Sequence, residues 1–377
     1  MSHRKIPLYK INTNRNDVNS VSKIVKKNMN WAIGPEIEKF EKKLANYVGS
    51  KFCVTFNSGT SALHASLLSI GLKSNEEVLV PSFTFVATAN SVLMAGGIPH
   101  FVDIEKEKFG LDPALTEESI DKKVKAIMPI HYAGLPCKIE ELRKIADRKK
   151  VFLIEDAAES LGSILNKKKV GSFGDLSVLS FAPNKIITTG EGGAVLTNSE
   201  KFYEKLKLLR SHGRLENSNY FSSSQKPEYV QLGYNWRMAT MVAALGISQL
   251  SRIEKLIAMR RNNAKFISTK IKKFSEITIP PEPKNNKHVF QLYSILLPDS
   301  KIRNDLMQFL GKRGIMTKVY FEPVHRTPFY KKITLDKFKL DNTEEISDRI
   351  LSLPIYPDLQ QKDLQYITSS ISDFFKN

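Results

Sequence analysis

The sequence predicts an α/β protein: a large domain with a mostly parallel seven-stranded sheet, followed by a smaller C-terminal α/β domain. Three observations predict it. The 377 residues have ordinary globular composition, 41% hydrophobic and 25% charged, which suits a buried core and about two to three domain-sized units. Between residues 50 and 200, short apolar runs alternate with helix-period stretches, the pattern of βαβ units around a parallel sheet. Beyond about residue 256 that rhythm gives way to a shorter series of strand, helix and strand.

In chain order, strands are predicted over 52–56, 77–81, 98–103, 126–130, 151–155, 176–180 and 194–197. Helices are predicted between them over 60–70, 85–95, 139–149 and 200–210. In 139–149, Ile139, Leu142 and Ile145 share one face while Glu140, Glu141, Lys144 and Arg148 fall mostly elsewhere, as a helix covering a sheet requires. Residues 214–230, RLENSNYFSSSQKPEYV, are polar and without period, so a long surface loop is expected. A helical stretch over 239–274 would carry the chain from one domain to the other. PPEPKNNK at 280–287 breaks the pattern, and a strand at 288–297, a helix at 302–312 and a strand at 315–320 follow. The expected domains are therefore 1–255, with its N-terminal segment, and 256–377.

Charge is the unusual part of the composition. The chain carries 57 Lys and Arg against 39 Asp and Glu, a net +18, which raises nucleic acid or an anionic surface as a partner. The basic residues are scattered as pairs and triplets, such as Lys42-Lys43 and Lys167-Lys168-Lys169, with no block of five or six. A solvated basic surface is the stronger reading, and neither nucleic acid nor membrane is expected as a partner. The two cysteines, Cys53 and Cys137, have no metal-ligand spacing, so no metal is expected. The start, MSHRKIPLYKIN, lacks an apolar core, and no apolar run approaches the ~18 residues that span a bilayer. A cytoplasmic protein of a reducing compartment is expected.

Three groups carry chemistry when taken together. Asn57-Ser58-Gly59-Thr60-Ser61 follows a predicted strand and opens a predicted helix, a seat for phosphate, although Ser and Thr there also serve as ordinary caps. Asp156 ends another strand at the sheet edge where open α/β sheets bind ligands. Lys185 lies in a polar turn that leads into Thr188-Thr189-Gly190-Glu191-Gly192-Gly193, where close backbone approach can strip water from an amine. Phosphate seat, carboxylate and amine are what a pyridoxal phosphate enzyme needs: the first for the cofactor phosphate, the second for its ring nitrogen, the third for its aldehyde. Gly233-Tyr234-Asn235-Trp236-Arg237-Met238 reads, on its residues alone, as a buried aromatic corner.

The sequence resembles the DegT/DnrJ/EryC1/StrS family of sugar aminotransferases, fold-type I pyridoxal phosphate enzymes that act on nucleotide-linked keto sugars. The resemblance runs from about residue 6 to 371 and is carried by Gly34-Pro35 with Phe40-Glu41, NSGTSAL at 57–63, VPSFTFVATAN at 80–90, HYAGLPC at 131–137, IEDAAESLG at 154–162, SFAPNKIITTGEGG at 180–193, HGR at 212–214, GYNWRM at 233–238 and EPVHRTPFY at 322–330. It implies that Lys185 bonds to the cofactor and, once released, shuttles a proton. It implies that Asp156 pairs with the pyridinium nitrogen, that Glu159 lies near the phenolic oxygen, and that Phe85 stacks on the ring. Gly59, Thr60 and Ser61 with Ser180 would hold the phosphate. Asn235 would reach it from a neighbouring subunit, which implies a homodimer with shared active sites.

The resemblance further implies L-glutamate as amino donor and a nucleotide-diphosphate keto sugar as acceptor. Arg214, Arg237 and the 214–230 loop are candidates for the diphosphate, with a structural role equally open for Arg237. His325 falls where relatives place a residue near the sugar, although most of the seven histidines are expected to be core or surface groups. Ala182-Pro183-Asn184 departs from the bulky aromatic or His that many relatives carry after the Phe. Relatives that dehydrate their substrate have His in place of the lysine, so Lys185 favours amino transfer. NKIITTGEGG at 184–193 is similar to the perosamine-synthase-like branch, which implies amination at C4 of a GDP-linked sugar such as GDP-4-keto-6-deoxymannose. A 3-keto-sugar or cyclitol aminotransferase is the alternative within the family. A non-catalytic, basic nucleic-acid-binding protein is the alternative outside it.

Overall fold

In the computed structural model, which describes residues 5–215, 224, 226–334 and 338–376, two helices precede the first strand of the sheet. Helix α1 (Arg15–Lys26) begins at a capping box in which the Asn14 side chain accepts from Asp17 and the Asp17 carboxylate accepts from the Asn14 N–H. Helix α2 (Pro35–Val48) has Pro35 in its first turn and stops at Gly49, whose φ of 92° closes the helix in the left-handed region.

The central body follows the predicted alternation: β1 (Phe52–Phe56), α3 (Gly59–Ser69), β2 (Glu77–Pro81), α4 (Ala87–Met94), β3 (Ile98–Val102), α5 (Pro113–Glu118), β4 (Val124–Ile127), α6 (Ile139–Lys149), β5 (Phe152–Asp156), a short hairpin β6 (Ile164–Leu165) and β7 (Lys168–Lys169), then β8 (Leu176–Ser180), β9 (Gly193–Thr197) and α7 (Glu200–Arg210). The seven-stranded sheet has the order β1-β9-β8-β5-β4-β2-β3. Only β9 runs antiparallel to its neighbours, because it is joined to β8 by a loop rather than by a crossover helix. Ser180 and Phe56 both pair with Gly193, so the ends of β1 and β8 and the start of β9 meet at one edge of the sheet.

Side chains of successive strand residues enter different apolar clusters. Val54, Val178 and Val195 pack with Leu63 and Leu67 of α3, whereas Cys53, Leu179 and Leu196 pack with Phe40 and Leu44 of α2. Two-faced burial of this kind is what makes parallel strands read as continuous apolar runs.

The remaining elements are α8 (Thr240–Leu250), α9 (Ile253–Ile271), β10 (Asn286–Lys287), β11 (Tyr293–Leu296), α10 (Ser300–Lys312), α11 (Pro328–Thr334), α12 (Asp341–Arg349), β12 (Ile350–Leu353) and α13 (Gln361–Lys376). The single helical stretch expected over 239–274 is two helices. Between them Arg252 leaves helical geometry and its guanidinium binds Asp17 Oδ2 at 2.6 Å and the Asn12 carbonyl at 2.8 Å. Ile253, Leu256 and Ile257 of α9 join the cluster around Phe40, while Ala264, Ile267 and Ile271 join a C-terminal cluster with Tyr293, Leu310 and Ile367.

Two further expectations change. The strand expected over 288–297 is confined to β11, which pairs with β12, because the residues before it bind the central body through Val289 N–H to the Gly134 carbonyl and Leu292 N–H to the Ala133 carbonyl. The strand expected over 315–320 does not form. Ile315 bridges Ile6 and Lys318 bridges Ser352, so the segment serves two different partners before turning toward the central sheet. Among the described residues no helix is long and apolar enough to cross a membrane.

Candidate active site

A cavity of about 330 Å³ opens at the sheet edge where β1, β5 and β8 end. Its floor and walls come from the turn into α3 (Gly59, Thr60), the turn into α4 (Phe85, Thr88), the end of β5 (Asp156, Glu159) and the segment after β8 (Lys185).

At the first of these, Ser58 caps α3, its Oγ accepting the Ser61 N–H at 3.0 Å and lying 2.9 Å from the Ser61 hydroxyl. First-turn N–H groups have no carbonyl partner inside their own helix and carry the positive end of its dipole, so this terminus favours an anion. Close packing shapes it. A Cβ on Gly59 would lie 3.1 Å from Ser180 Cβ, and one on Gly193 would lie 2.7 Å from Gly59 N. Gly59, Thr60 and Ser180 line the cavity, whereas Ser61 turns its hydroxyl into the cap.

Asp156 is buried at the end of β5. Its Oδ2 accepts from Thr88 Oγ1 at 2.9 Å, and its Oδ1 accepts the Ala158 N–H at 3.2 Å. Burial pushes its carboxyl up from the ordinary value, against the pull of Thr88, Ala158, Lys185 and His131 in the opposite direction. Lys185 Nζ lies 3.5 Å from Glu159 Oε1, with side-chain exposures of only 14% and 11%. Glu159 Oε2 accepts the Ala133 N–H at 2.9 Å, which fixes the carboxylate beside the amine. Phe85 stands at the cavity 60% exposed, its ring centroid 6.3 Å from that of Phe321.

Four expected site residues lie elsewhere. Arg214 and Arg237 line a second cavity, of about 510 Å³, together with Lys207, Arg210 and Glu41. Asn235 sits nearby in chain and bridges Ser211. His325 is held between Ser82 Oγ, 2.6 Å from Nδ1, and Glu344 Oε1, 3.0 Å from Nε2. Of the loop expected over 214–230, residues 216–223 and 225 lie outside the described residues.

The structure also adds residues that sequence reasoning did not single out. Thr84 and Thr88 line the cavity, and so do Lys318, Tyr320 and Phe321 from the C-terminal part of the chain. The threonines fall inside VPSFTFVATAN, where their four-residue spacing on the entry to a helix was the available signal. Lys318 and Tyr320 lay in a segment read as a strand, and no local pattern points them at a distant cavity. His131 at the cavity wall is buried, with Nε2 3.2 Å from Glu155 Oε2 and Nδ1 accepting the Cys137 N–H. Glu155 also accepts N–H groups from Gly171, Phe173 and Gly174. Burial works against its charge, yet His131 and these donors hold its carboxyl below the ordinary value.

Residues 12–372 match the DegT/DnrJ/EryC1/StrS aminotransferase family. The chain belongs to that family. GDP-perosamine synthase of Caulobacter vibrioides is 35% identical over 90% of each chain. A UDP-4-amino-4,6-dideoxy-N-acetyl-beta-L-altrosamine transaminase of Campylobacter jejuni is 33% identical over 96% of this chain and 95% of its own. Among solved structures, Helicobacter pylori PseC, an aminotransferase involved in the biosynthesis of pseudoaminic acid, superposes with a TM-score of 0.92 at 30% identity, covering 99% of this chain and 100% of that one. The fold is therefore that of the type I pyridoxal phosphate transferases, and the comparisons support sugar aminotransferase activity. Pyridoxal phosphate is the cofactor of the family, and the chain fits it: an amine with little access to water, a buried carboxylate and a glycine-lined helix terminus surround one cavity.

Proposed function

We propose that the chain moves an amino group from L-glutamate to C4 of a nucleotide-linked 4-keto-6-deoxy sugar such as GDP-4-keto-6-deoxymannose. The observation that carries this reading is Lys185 beside Glu159 in the cavity that also holds Asp156, in a family whose members include GDP-perosamine synthases at 32–35% identity. Bound pyridoxal phosphate supplies an aldehyde that accepts and returns nitrogen, and a ring that draws off electrons when protonated.

In this reading, Lys185 Nζ holds the cofactor and, when free, carries the proton. Asp156 keeps the ring nitrogen protonated, and Glu159 orients the amine. The α3 terminus, with Gly59, Thr60 and Ser180, receives the phosphate, Ser61 supporting it through the Ser58 cap, and Phe85 covers the ring. Asn235 reaches the phosphate of a second copy, and Arg214 and Arg237, which line a separate cavity of this chain, meet a sugar diphosphate only if that cavity faces the site of the second copy. The exposed Tyr229, Val230 and Leu232, 57%, 54% and 79% accessible, support a homodimer that covers this face. His325, held by Ser82 and Glu344 outside the cavity lining, supports the wall toward the sugar from behind rather than meeting the sugar. The domain division at residue 256 is part of the same proposal, and along α9 the packing passes from the central cluster to the C-terminal one between Ile257 and Ala264. Two free, buried cysteines accord with a cytoplasmic setting.

The test is a panel of GDP-, UDP- and dTDP-linked keto sugars incubated with glutamate, read by mass spectrometry and by NMR for the aminated carbon. A GDP-4-amino product is expected, and amination at C3, or of no nucleotide sugar at all, would overturn the proposal. A UDP-linked acceptor is the second reading, favoured by the similarity to the Campylobacter jejuni transaminase.

A further inference from the structure

Asp156 is a buried carboxylate of the cavity, and its Oδ2 already has a side-chain donor. Thr88 Oγ1 donates to Asp156 Oδ2 at 2.9 Å, and Thr84 Oγ1 lies 2.7 Å from Thr88 Oγ1. A carboxylate only accepts, so the single Thr88 proton is committed to Asp156 and the Thr84 hydroxyl must donate to Thr88. The direction of the chain is thus set, Thr84 to Thr88 to Asp156, and all three side chains are buried. Thr84 and Thr88 flank Phe85 on the turn into α4, and the Thr88 N–H is bonded to the Phe85 carbonyl at 3.1 Å.

We propose that Thr88, backed by Thr84, is a positioning residue that fixes the rotation of Asp156 toward the cofactor ring, while the same turn sets Phe85 against the ring face. The proposal rests on the reading of Asp156 as the partner of the ring nitrogen. A hydroxyl donor favours the charged form of a carboxylate, and here it works against burial. The other groups acting on Asp156 are Lys185 from the segment after β8 and His131 from the segment after β4, both of which favour its charge, with the Ala158 N–H beyond β5. Thr88 is the α4 contribution to that set, and its hydroxyl can be removed without changing a charge.

The experiment uses the holoenzyme with Thr88→Val, Thr88→Ser, Thr84→Val and, as a control, Asp156→Ala. Thr88→Val keeps side-chain shape and loses the donor. Its kcat is expected to fall about tenfold or more, the scale of a hydrogen bond to a charged group, with the KM for glutamate nearly unchanged. The acid limb of its pH profile should move to higher pH, and its cofactor should be lost faster on dialysis. Thr88→Ser should restore all three readouts, and Thr84→Val should move them the same way by less. If Thr88→Val does not fold, the Ser and Thr84 variants decide the matter. A Thr88→Val enzyme with the kcat, pH profile and cofactor retention of the parent, or a Thr88→Ser enzyme as defective as Thr88→Val, would overturn the proposal. Full activity in Asp156→Ala would instead remove the reading on which it rests.

Discussion

Lys185 Nζ and Glu159 Oε1 stand 3.5 Å apart behind a wall that leaves both side chains little water, which is where an amine gains most from a fixed carboxylate. Lys185→Ala should therefore abolish both the visible absorption of cofactor-loaded protein and its borohydride labelling; a variant still labelled would place the attachment elsewhere. Asp156→Ala should leave labelling at Lys185 intact and lower amino transfer by about 10- to 100-fold, the scale of a lost charge-assisted bond in a buried site. Glu41 shows a residue-scale effect with no chemistry. Its Oε1 accepts from the Thr55 N–H and hydroxyl at 2.8 Å and from the largely buried Arg210 guanidinium at 2.6 Å. Glu41→Ala strips three donors of their acceptor and is expected to cost about 3–5 kcal/mol in denaturant unfolding. Lys185 and Asp156 were legible in the sequence because each lies beside a predicted strand end. Thr88 was not, because its partner is 68 residues away.

At the level of elements, the anion seat depends on how closely β9 passes the start of α3. A Cβ at Gly193 would overlap the Ser58 carbonyl and lie 2.7 Å from Gly59 N, and backbone atoms cannot rotate away as a flexible side chain can. Gly193→Ala should destabilise the fold by about 1–3 kcal/mol and weaken phosphate-dependent cofactor retention. Thermal melts with and without pyridoxal phosphate measure both, and an unchanged ligand-induced shift would refute the coupling. The strands of the central sheet were readable because two-faced burial leaves runs such as Val78-Leu79-Val80. Helix α6 was readable from its apolar face. Residues 239–274 were read as one helix because nothing local announces the turn at Arg252, whose carboxylate partner, Asp17, is 235 positions away. The segment 315–320 has strand-like residues but splits its backbone bonds between Ile6 and Ser352.

For the molecule as a whole, acid should act through His288, buried where the C-terminal part of the chain crosses the central body. Burial, and then the charge of Arg261, lower its pKa to about 3 from 6.5, although a backbone bond at Gly134 resists the shift. Between those values the unfolded chain binds a proton that the native one refuses. Stability therefore falls as pH drops from about 6.5 toward 3, with a slope approaching about 1.4 kcal/mol per pH unit from this residue. Urea unfolding of His288→Gln at pH 7 and pH 5 should show a smaller loss than the parent, and equal losses would exclude His288 as the source. The net charge of +18 is also a whole-molecule property. Nearly all of the lysine pairs and triplets are exposed, with Lys169 the half-buried exception that donates to the Tyr47 carbonyl at 2.6 Å. By itself the sequence determined the strand and helix alternation and the family, and it pointed to the lysine, the aspartate and the helix terminus that line one cavity, because burial periodicity and turn chemistry are local. Only the tertiary structure decided that Thr88 holds Asp156, that Lys318 and Tyr320 come to the same cavity, and that Arg214 and Arg237 line another. Those choices depend on which distant segments pack together, and no short-range pattern carries that information.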